Sequence, residues 1–212
     1  MTPAVLSAII KPHIDLSDAI SLATNGHGFS SMQAFASDEE KDALYEGYFM
    51  RAFSSYETTL EKVFVYFACG GVSLSNNKAN CRLVNCTEEI VRKIIKQSGR
   101  WTDWANAGVV RERAEIFFVD GCPFRDPLIG KSEDLNQIQK IRNRIAHNSL
   151  ESRAGYESSI IALLATSPIF DVSPGYLLRA KRKSKPAISL GLHYISVMVD
   201  VLNAICEKPH VV

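Results

Sequence analysis

The sequence predicts an all-α fold, and two observations carry that prediction. Apolar residues recur every three or four positions along almost the whole chain, which is the spacing of one buried helix face. Acidic, Ser or Thr residues precede these periodic stretches, and Gly or Pro follows them, as at helix ends. The 212 residues suffice for one sizeable core. We therefore expect a single helical domain over residues 1–212, in which residues 1–35 form an N-terminal helical extension of unassigned role.

Composition and charge narrow the class of protein. The hydrophobic share of 46% and the charged share of 22% are those of a soluble globular protein. A formal net charge of +1 gives no overall attraction to polyanions, so contact with nucleic acid requires a local basic patch. The five cysteines show no CxxC pair or zinc-ligand spacing, which indicates reduced thiols and no metal or other cofactor. Pro12 and two aspartates interrupt the apolar N-terminal stretch, so we expect a cytoplasmic protein without a membrane segment.

Two helices are predicted in the first third of the chain. The first covers residues 3–24 and ends before the Gly-rich stretch TNGHGFSS. The second runs from Asp38 to Ala68, because an acidic start suits a helix N-terminus and Gly70 and Gly71 follow its end. Its buried face is predicted to consist of Leu44, Tyr48, Phe49, Ala52, Phe53, Tyr56, Leu60, Val63, Phe64 and Phe67.

The middle of the chain is polar and rich in turn-forming residues. We expect a loop over residues 71–86, followed by a short helix that Thr87 caps. A further helix is predicted from about Thr102 to Val119. The stretch DGCPFRDPLIG then ends that helix and sets the direction of the next one.

The last third of the chain holds the stretch on which the functional interpretation depends. Ser132 is expected to cap a helix that carries IRNRIAHNS, residues 141–149. Another helix is predicted over YESSIIALLAT, residues 156–166. Pro186, which suits a first helical position, opens a strongly apolar helix that ends at about Glu207.

The helix that carries IRNRIAHNS presents different residues on its different faces. Its buried face is predicted to consist of Leu135, Ile138, Ile141 and Ile145. Arg142 falls at the edge of this face and should be half-buried. Asn143 and His147, four residues apart, stack on one flank, whereas Arg144 points away from the core and should be exposed.

Two interpretations of these residues are open. A half-buried guanidinium needs an anionic or carbonyl partner, and a substrate phosphate would be one that an Arg can also stabilise in a transition state. His147 would then transfer protons, and Asn143 would orient the imidazole or hold a ribose or phosphate oxygen. In the structural alternative, Arg142 pairs with Glu57 or Glu61 while His147 caps the helix C-terminus. The spacing alone favours this alternative.

The hexapeptide RNRIAH resembles the RNxxxH form of the R-x4-6-H motif of the HEPN superfamily (higher eukaryote and prokaryote nucleotide-binding domains). The stretch EGYFMRAFSSYETTLEKVF is similar to the first long helix of the small RiboL-PSP-like HEPN proteins. The resemblance covers about residues 40–207, and its specificity lies in the six motif residues. It implies a HEPN-like helical bundle.

The resemblance also implies an activity: metal-independent cleavage of RNA, in which a ribose 2'-hydroxyl attacks the adjacent phosphate. The products would be a 2',3'-cyclic phosphate and a 5'-hydroxyl. By the same resemblance, His147 is the general acid and base, Arg142 stabilises the phosphate, and Asn143 is the polar residue after the Arg. A toxin or anti-phage defence effector is implied, with an antitoxin or another regulatory protein as a partner.

A homodimer is the third implication, with the motifs of two protomers in one cleft. Within one helix, Arg142 and His147 diverge by about 140°, which is too far for them to converge easily on one atom. A two-fold axis would allow the Arg of one chain to face the His of the other.

A basic run follows the motif in the sequence. Together with Arg144, the residues predicted to bind RNA are Arg179, Lys181, Arg182, Lys183 and Lys185. The alternative for this run is a solvated surface. Trp101 and Trp104, next to Arg100, could stack on unpaired bases, but two Trp at this spacing more often form part of a core or an interface.

Two alternatives to a ribonuclease stay open. A catalytically silent HEPN domain would bind RNA, a nucleotide or a partner protein, and a buried salt bridge from Arg142 to Glu57 or Glu61, with His147 closed off from solvent, would favour it. The other is a dimerising helical bundle in which the motif occurs by chance.

Overall fold

Helices make up most of the part of the chain that the structure describes. The computed structural model describes residues 2–25, 37–97, 103–147, 149–164, 172–181 and 188–207, and no strand occurs among them. The helices in these residues are α1 Pro3–Asn25, α2 Asp38–Ala68, α3 Glu88–Gln97, α4 Ala107–Phe117, α5 Arg125–Gly130, α6 Ser132–Ala146, α7 Leu150–Leu164, α8 Pro174–Arg179 and α9 Leu190–Glu207. The predicted all-α class is therefore confirmed.

Helix α2 is the axis of the fold, with the bounds predicted for it. It starts with a reciprocal cap, in which the Glu40 N–H donates to Ser37 Oγ (3.2 Å) and the Ser37 N–H donates to the Glu40 carboxylate (2.7 Å). The helix ends before Gly70, whose φ of +78° lies in the left-handed region that favours glycine. Helices α1, α3, α6, α8 and α9 all pack on α2.

An aromatic cluster fills the core at the C-terminal half of α2. The ring of Phe64 lies 5.0–5.3 Å, centroid to centroid, from the rings of Trp104, Phe117, Phe118 and Phe124. Trp104 is 6% exposed, which agrees with the core interpretation of that residue. Trp101 and Arg100 lie outside the described residues.

The helix predicted from Thr102 begins later than expected, at Ala107. The reason is the side chain of Asn106, whose Oδ1 accepts from the backbone N–H groups of Gly108 (2.9 Å) and Val109 (3.2 Å). This cap satisfies two of the amide groups that a helix N-terminus leaves without an intrahelical partner.

The helix that carries the motif also starts differently. Ser132 is its first residue and not its cap, since Lys131 holds the cap position without a side-chain hydrogen bond. Helix α5, which lies within the predicted helix stop DGCPFRDPLIG, ends only at Gly130. The two helices are thus joined by a single residue, which leaves no room for a separate capping turn.

The C-terminal helix begins at Leu190, four residues after the predicted start at Pro186. Ser189 precedes it and accepts a hydrogen bond from the Leu192 N–H at its Oγ (3.3 Å). Among the described residues, this helix is the one long and apolar enough to cross a membrane, with a mean hydropathy of 1.3 over 18 residues, and 56% of it is buried in the bundle. Core helices of soluble proteins meet the same criterion, so the helix is weak evidence for a membrane segment.

Helix α1 packs on α2 and α9 through an apolar face that includes one histidine. His13 is fully buried, with its ring 6.1 Å from that of Tyr56, and neither of its nitrogens has a hydrogen-bond partner among the residues that the structure describes. Burial lowers the pKa of His13 to about 4, because a charged imidazole would lose its hydration there. The ring is therefore neutral at neutral pH.

Helix α8 docks closely on the first turns of α2. Asp42 accepts a short hydrogen bond from Ser173 Oγ, and Glu46 accepts one from the Gly175 N–H (2.8 Å). Arg179 Nε donates to Asp42 Oδ1 at 2.6 Å. A Cβ atom at Gly175 would lie 2.3 Å from the backbone oxygen of Asp42, so only glycine fits this approach.

We predict that Gly175→Ala destabilises the protein by about 1–3 kcal/mol or more, the usual cost of overpacking, because backbone atoms of α2 block the new methyl group. Gly47→Ala is the matched control, since Gly47 lies on an exposed face of α2 and a Cβ atom there would have no atom within 4 Å. That control should gain about 0.5–1 kcal/mol from helix propensity. Urea unfolding measures both, and equal stabilities of the two variants would contradict the close approach.

Candidate active site on α6

The motif lies on the last two turns of α6, and the core holds that helix in place. Leu135, Ile138 and Ile141 are buried, and Ile145 packs against the core from a partly exposed position. The helix contacts α2 on one side and α7 on the other. The face predicted to be apolar is therefore the face that turns inward.

Arg142 is half-buried, as predicted, and its guanidinium is held in a defined position. The Cζ atom lies 5.5 Å from the centroid of the Phe53 ring of α2, which is a cation–π contact. The Nη1 atom donates to Asn143 Oδ1 at 3.1 Å. The Nε atom is buried and has no hydrogen-bond partner among the described residues. A buried N–H group without a partner is costly.

Neither of the two candidate carboxylates forms an ion pair with Arg142 in the described part of the chain. Glu61 is paired with Arg92 of α3. Glu57 is half-buried and near enough for the positive charge of Arg142 to act on it, but it lies beyond ion-pair distance. Burial raises the pKa of Glu57, and Arg142 partly offsets that effect. The structural alternative for Arg142, a salt bridge to one of these groups, is not what the structure shows.

His147 is the C-cap residue of α6, and the chain leaves the helical path there. Its φ of −136° and ψ of 134° are extended, while its N–H still donates to the Asn143 carbonyl at 2.9 Å. Ser152 Oγ donates to the His147 carbonyl at 2.8 Å. The residue is exposed, so solvent can reach it. The position at the helix end is the one expected in the structural alternative, but the exposure suits proton transfer as well.

The prediction that Arg144 is exposed is wrong, because this residue is half-buried. Lys140, one turn earlier on the same face, donates to Ser158 of α7 at 3.1 Å and has its Cγ near Gly155. Helix α7 thus covers the face of α6 that points away from α2. The pattern of apolar residues does not indicate this cover, since it describes only one buried face.

The predicted basic run is only partly described. Arg182, Lys183 and Lys185 lie outside the described residues. Lys181 is exposed. Arg179 pairs with Asp42 at 2.6 Å and with Asp38 at 3.3 Å, and its guanidinium lies 5.4 Å from the Tyr176 ring centroid. These contacts dock α8 on α2. The two carboxylates neutralise the charge of Arg179, which argues against the predicted contact with RNA.

Two features of the site do not follow from the sequence pattern. The pattern places Phe53 in the core without indicating its contact to Arg142, and it does not single out Asp103. Asp103 Oδ2 accepts from Gln139 Nε2 of α6 at 3.3 Å, one turn before Arg142. Only the contact of Phe53 could have been found from the sequence. Phe53 lies four residues before Glu57, a predicted partner of Arg142, and the two residues therefore share one face of α2.

No group of three or more His, Cys, Asp and Glu residues that could hold a metal ion occurs within the described ranges. Comparison of the chain with family models, with curated proteins and with solved structures finds no match in any of the three. The HEPN resemblance therefore depends on the motif residues and their surroundings.

We predict that Arg179→Gln lowers the free energy of unfolding by about 1–3 kcal/mol, because it leaves the partly buried Asp42 without its ion-pair partner. Lys181→Gln, two residues away and exposed, should stay within about 0.5 kcal/mol of the wild type. Urea unfolding measures both variants. Unchanged stability of Arg179→Gln, together with weaker RNA binding, would instead indicate that Arg179 contacts RNA.

Proposed function

We propose that the protein is a metal-independent endoribonuclease of the HEPN type. The observation that carries the proposal is the state of Arg142: Phe53 and Asn143 fix its guanidinium, and no carboxylate in the described part of the chain forms an ion pair with it. An RNA phosphate supplies an anionic acceptor for such a group. The motif residues Arg142, Asn143 and His147 would form the catalytic site.

In the proposed reaction, the ribose 2'-oxygen attacks the adjacent phosphorus while its proton passes to a base. The bond from phosphorus to the 5'-oxygen breaks, and that oxygen takes up a proton. The products are a 2',3'-cyclic phosphate and a 5'-hydroxyl. His147, exposed at the end of α6, is the group that would carry protons, and Arg142 would stabilise the charge that grows on the phosphate oxygens. Asn143 positions Arg142 through their hydrogen bond.

A homodimer is part of the proposal, because one protomer does not complete the site. No hydrogen bond fixes the His147 imidazole among the described residues, although a catalytic histidine is usually oriented by a partner group. The Asn143 amide oxygen already accepts from Arg142 and serves the arginine. A second protomer across a two-fold axis would supply the missing contacts.

The basic residues that would contact RNA phosphates are Arg144, Lys181, Arg182, Lys183 and Lys185, and such contacts position a strand without reading its sequence. Arg179 is left out of this group because of its carboxylate partners. By resemblance, the enzyme would be a cytoplasmic toxin or anti-phage effector controlled by an antitoxin or another regulatory protein.

A catalytically silent HEPN domain that binds RNA, a nucleotide or a partner protein is the second candidate. The lack of a hydrogen bond to the His147 imidazole among the described residues of one protomer favours it. This candidate predicts a salt bridge from Arg142 to Glu57 or Glu61 and a histidine closed off from solvent. In the described residues, Glu61 pairs with Arg92 instead, and His147 is exposed.

We predict that the purified protein cleaves total RNA in excess chelator and leaves 5'-hydroxyl ends. His147→Ala and Arg142→Ala should each reduce the rate by about 10²–10⁴-fold, the usual range for loss of an acid–base or charge-stabilising group. Gel analysis and mapping of product ends measure this. His193→Asn is the control, because His193 pairs with Asp134 on another part of α6 (3.3 Å). Equal cleavage by wild type and His147→Ala would overturn the assignment of the site.

A mixture of the two inactive variants tests whether the site is shared between protomers. If the Arg of one chain acts with the His of the other, each mixed dimer has one intact site, and activity should return to about a quarter of the wild-type value after random exchange. If both groups act within one chain, the mixture should stay inactive. Mixing after mild denaturation and refolding ensures exchange, and sedimentation confirms the dimer.

A further inference from the structure

Glu57 lies within the electrostatic range of Arg142 and of Asp103, and neighbouring contacts place these groups. Glu57 follows Phe53 by one turn of α2, and Phe53 is the ring against which the guanidinium lies. Asp103 is linked to α6 by Gln139, one turn before Arg142. Helix α2, helix α6 and the segment before α4 therefore bring two negative groups and one positive group into the same region.

The two carboxylates differ in what holds them. Asp103 accepts hydrogen bonds from Gln139 Nε2 (3.3 Å) and from the Ala105 N–H (3.1 Å). Glu57 accepts no hydrogen bond from any described residue and is half-buried. A hydrogen-bond donor stabilises the ionised form of a carboxylate, and the ionised form of Glu57 lacks this stabilisation within the described residues.

The charges around Glu57 come from three elements. Burial raises its pKa most, Arg142 on α6 lowers it, and Asp103 before α4 raises it. On α2 itself, the neighbouring Glu61 is neutralised by Arg92 of α3. Arg142 is thus the positive group that favours the ionised form of Glu57.

We infer that Glu57 couples phosphate binding at Arg142 to the uptake of one proton. The negative charge of an RNA phosphate beside Arg142 would offset the positive charge of the guanidinium, and this change favours the protonated carboxyl. The protonated carboxyl can donate a hydrogen bond to a phosphate oxygen, which the carboxylate cannot. The inference rests on the proposed function, since it requires phosphate to bind at Arg142.

The sign of the pH dependence follows from this coupling. Phosphate at Arg142 would raise the pKa of Glu57 further, so binding would take up a proton and affinity would rise as pH falls. Glu57→Gln resembles the protonated carboxyl at every pH. It should bind RNA about three- to tenfold more tightly than the wild type at neutral pH, because one nearby negative charge is removed. The pH dependence of affinity that comes from Glu57 should be lost.

The probe is a single-stranded octaribonucleotide whose 2'-hydroxyls are methylated, so that it binds without being cleaved. Calorimetric titrations at several values from about pH 5 to about pH 7.5, each in two buffers of different ionisation enthalpy, give the number of protons taken up at each pH. We expect measurable uptake by the wild type within this range and loss of that uptake in Glu57→Gln. Glu133→Gln, which removes an exposed carboxylate from the first turn of α6, is the matched control and should behave as the wild type.

Arg142→Gln separates failure of the inference from failure of the proposed function. If Arg142→Gln and the wild type bind the probe equally, or if neither binds it, Arg142 is not the phosphate site and both proposals are overturned. If Arg142→Gln loses binding but Glu57→Gln keeps the wild-type affinity and proton uptake, only the role of Glu57 is overturned. Weaker binding by a folded Glu57→Gln variant, checked by circular dichroism, also overturns that role.

Discussion

Complete burial of the last six residues of α2 is the constraint on which the other helices depend. All six residues from Val63 to Ala68 are buried, so this part of the helix has no solvent-facing side. A helix that is apolar all round must be covered all round, and one neighbouring helix covers only part of it. The aromatic rings of Trp104, Phe117 and Phe124 complete the cover around Phe64. The turn-rich connections before and after α4 serve to bring these rings to one place.

The same helix connects the core to the site. One turn of α2 places Phe53 under the Arg142 guanidinium and the next places Glu57 within the field of that charge. The position of Arg142 is thus set by packing that the core requires in any case. An arginine held in this way loses little side-chain freedom when it meets an anion, which favours binding.

Much of the helical framework could be predicted from the sequence, and the errors share a physical cause. The bounds of α2 follow from its acidic start and from the glycines after it, which are local signals. The late start of α4 depends on Asn106, a weaker signal amid many polar residues, and the burial of Arg144 depends on where α7 packs. Likewise, the ion pairs of Arg179 join residues that are far apart in sequence. The spacing of apolar residues predicts which face of a helix is buried, but it does not predict which distant side chain a charged residue will contact.

The docking of α8 on α2 joins residues 137 positions apart, Asp42 and Arg179. Contacts of such long sequence separation form late, because a long loop must close before they contribute. The ribosome makes the motif helix before it makes α8. A growing chain that already contains every residue of the motif therefore still shows uncovered carboxylates on the first turns of α2. The last quarter of the chain, which contains no motif residue, thereby determines when the protein can reach its final packing during synthesis.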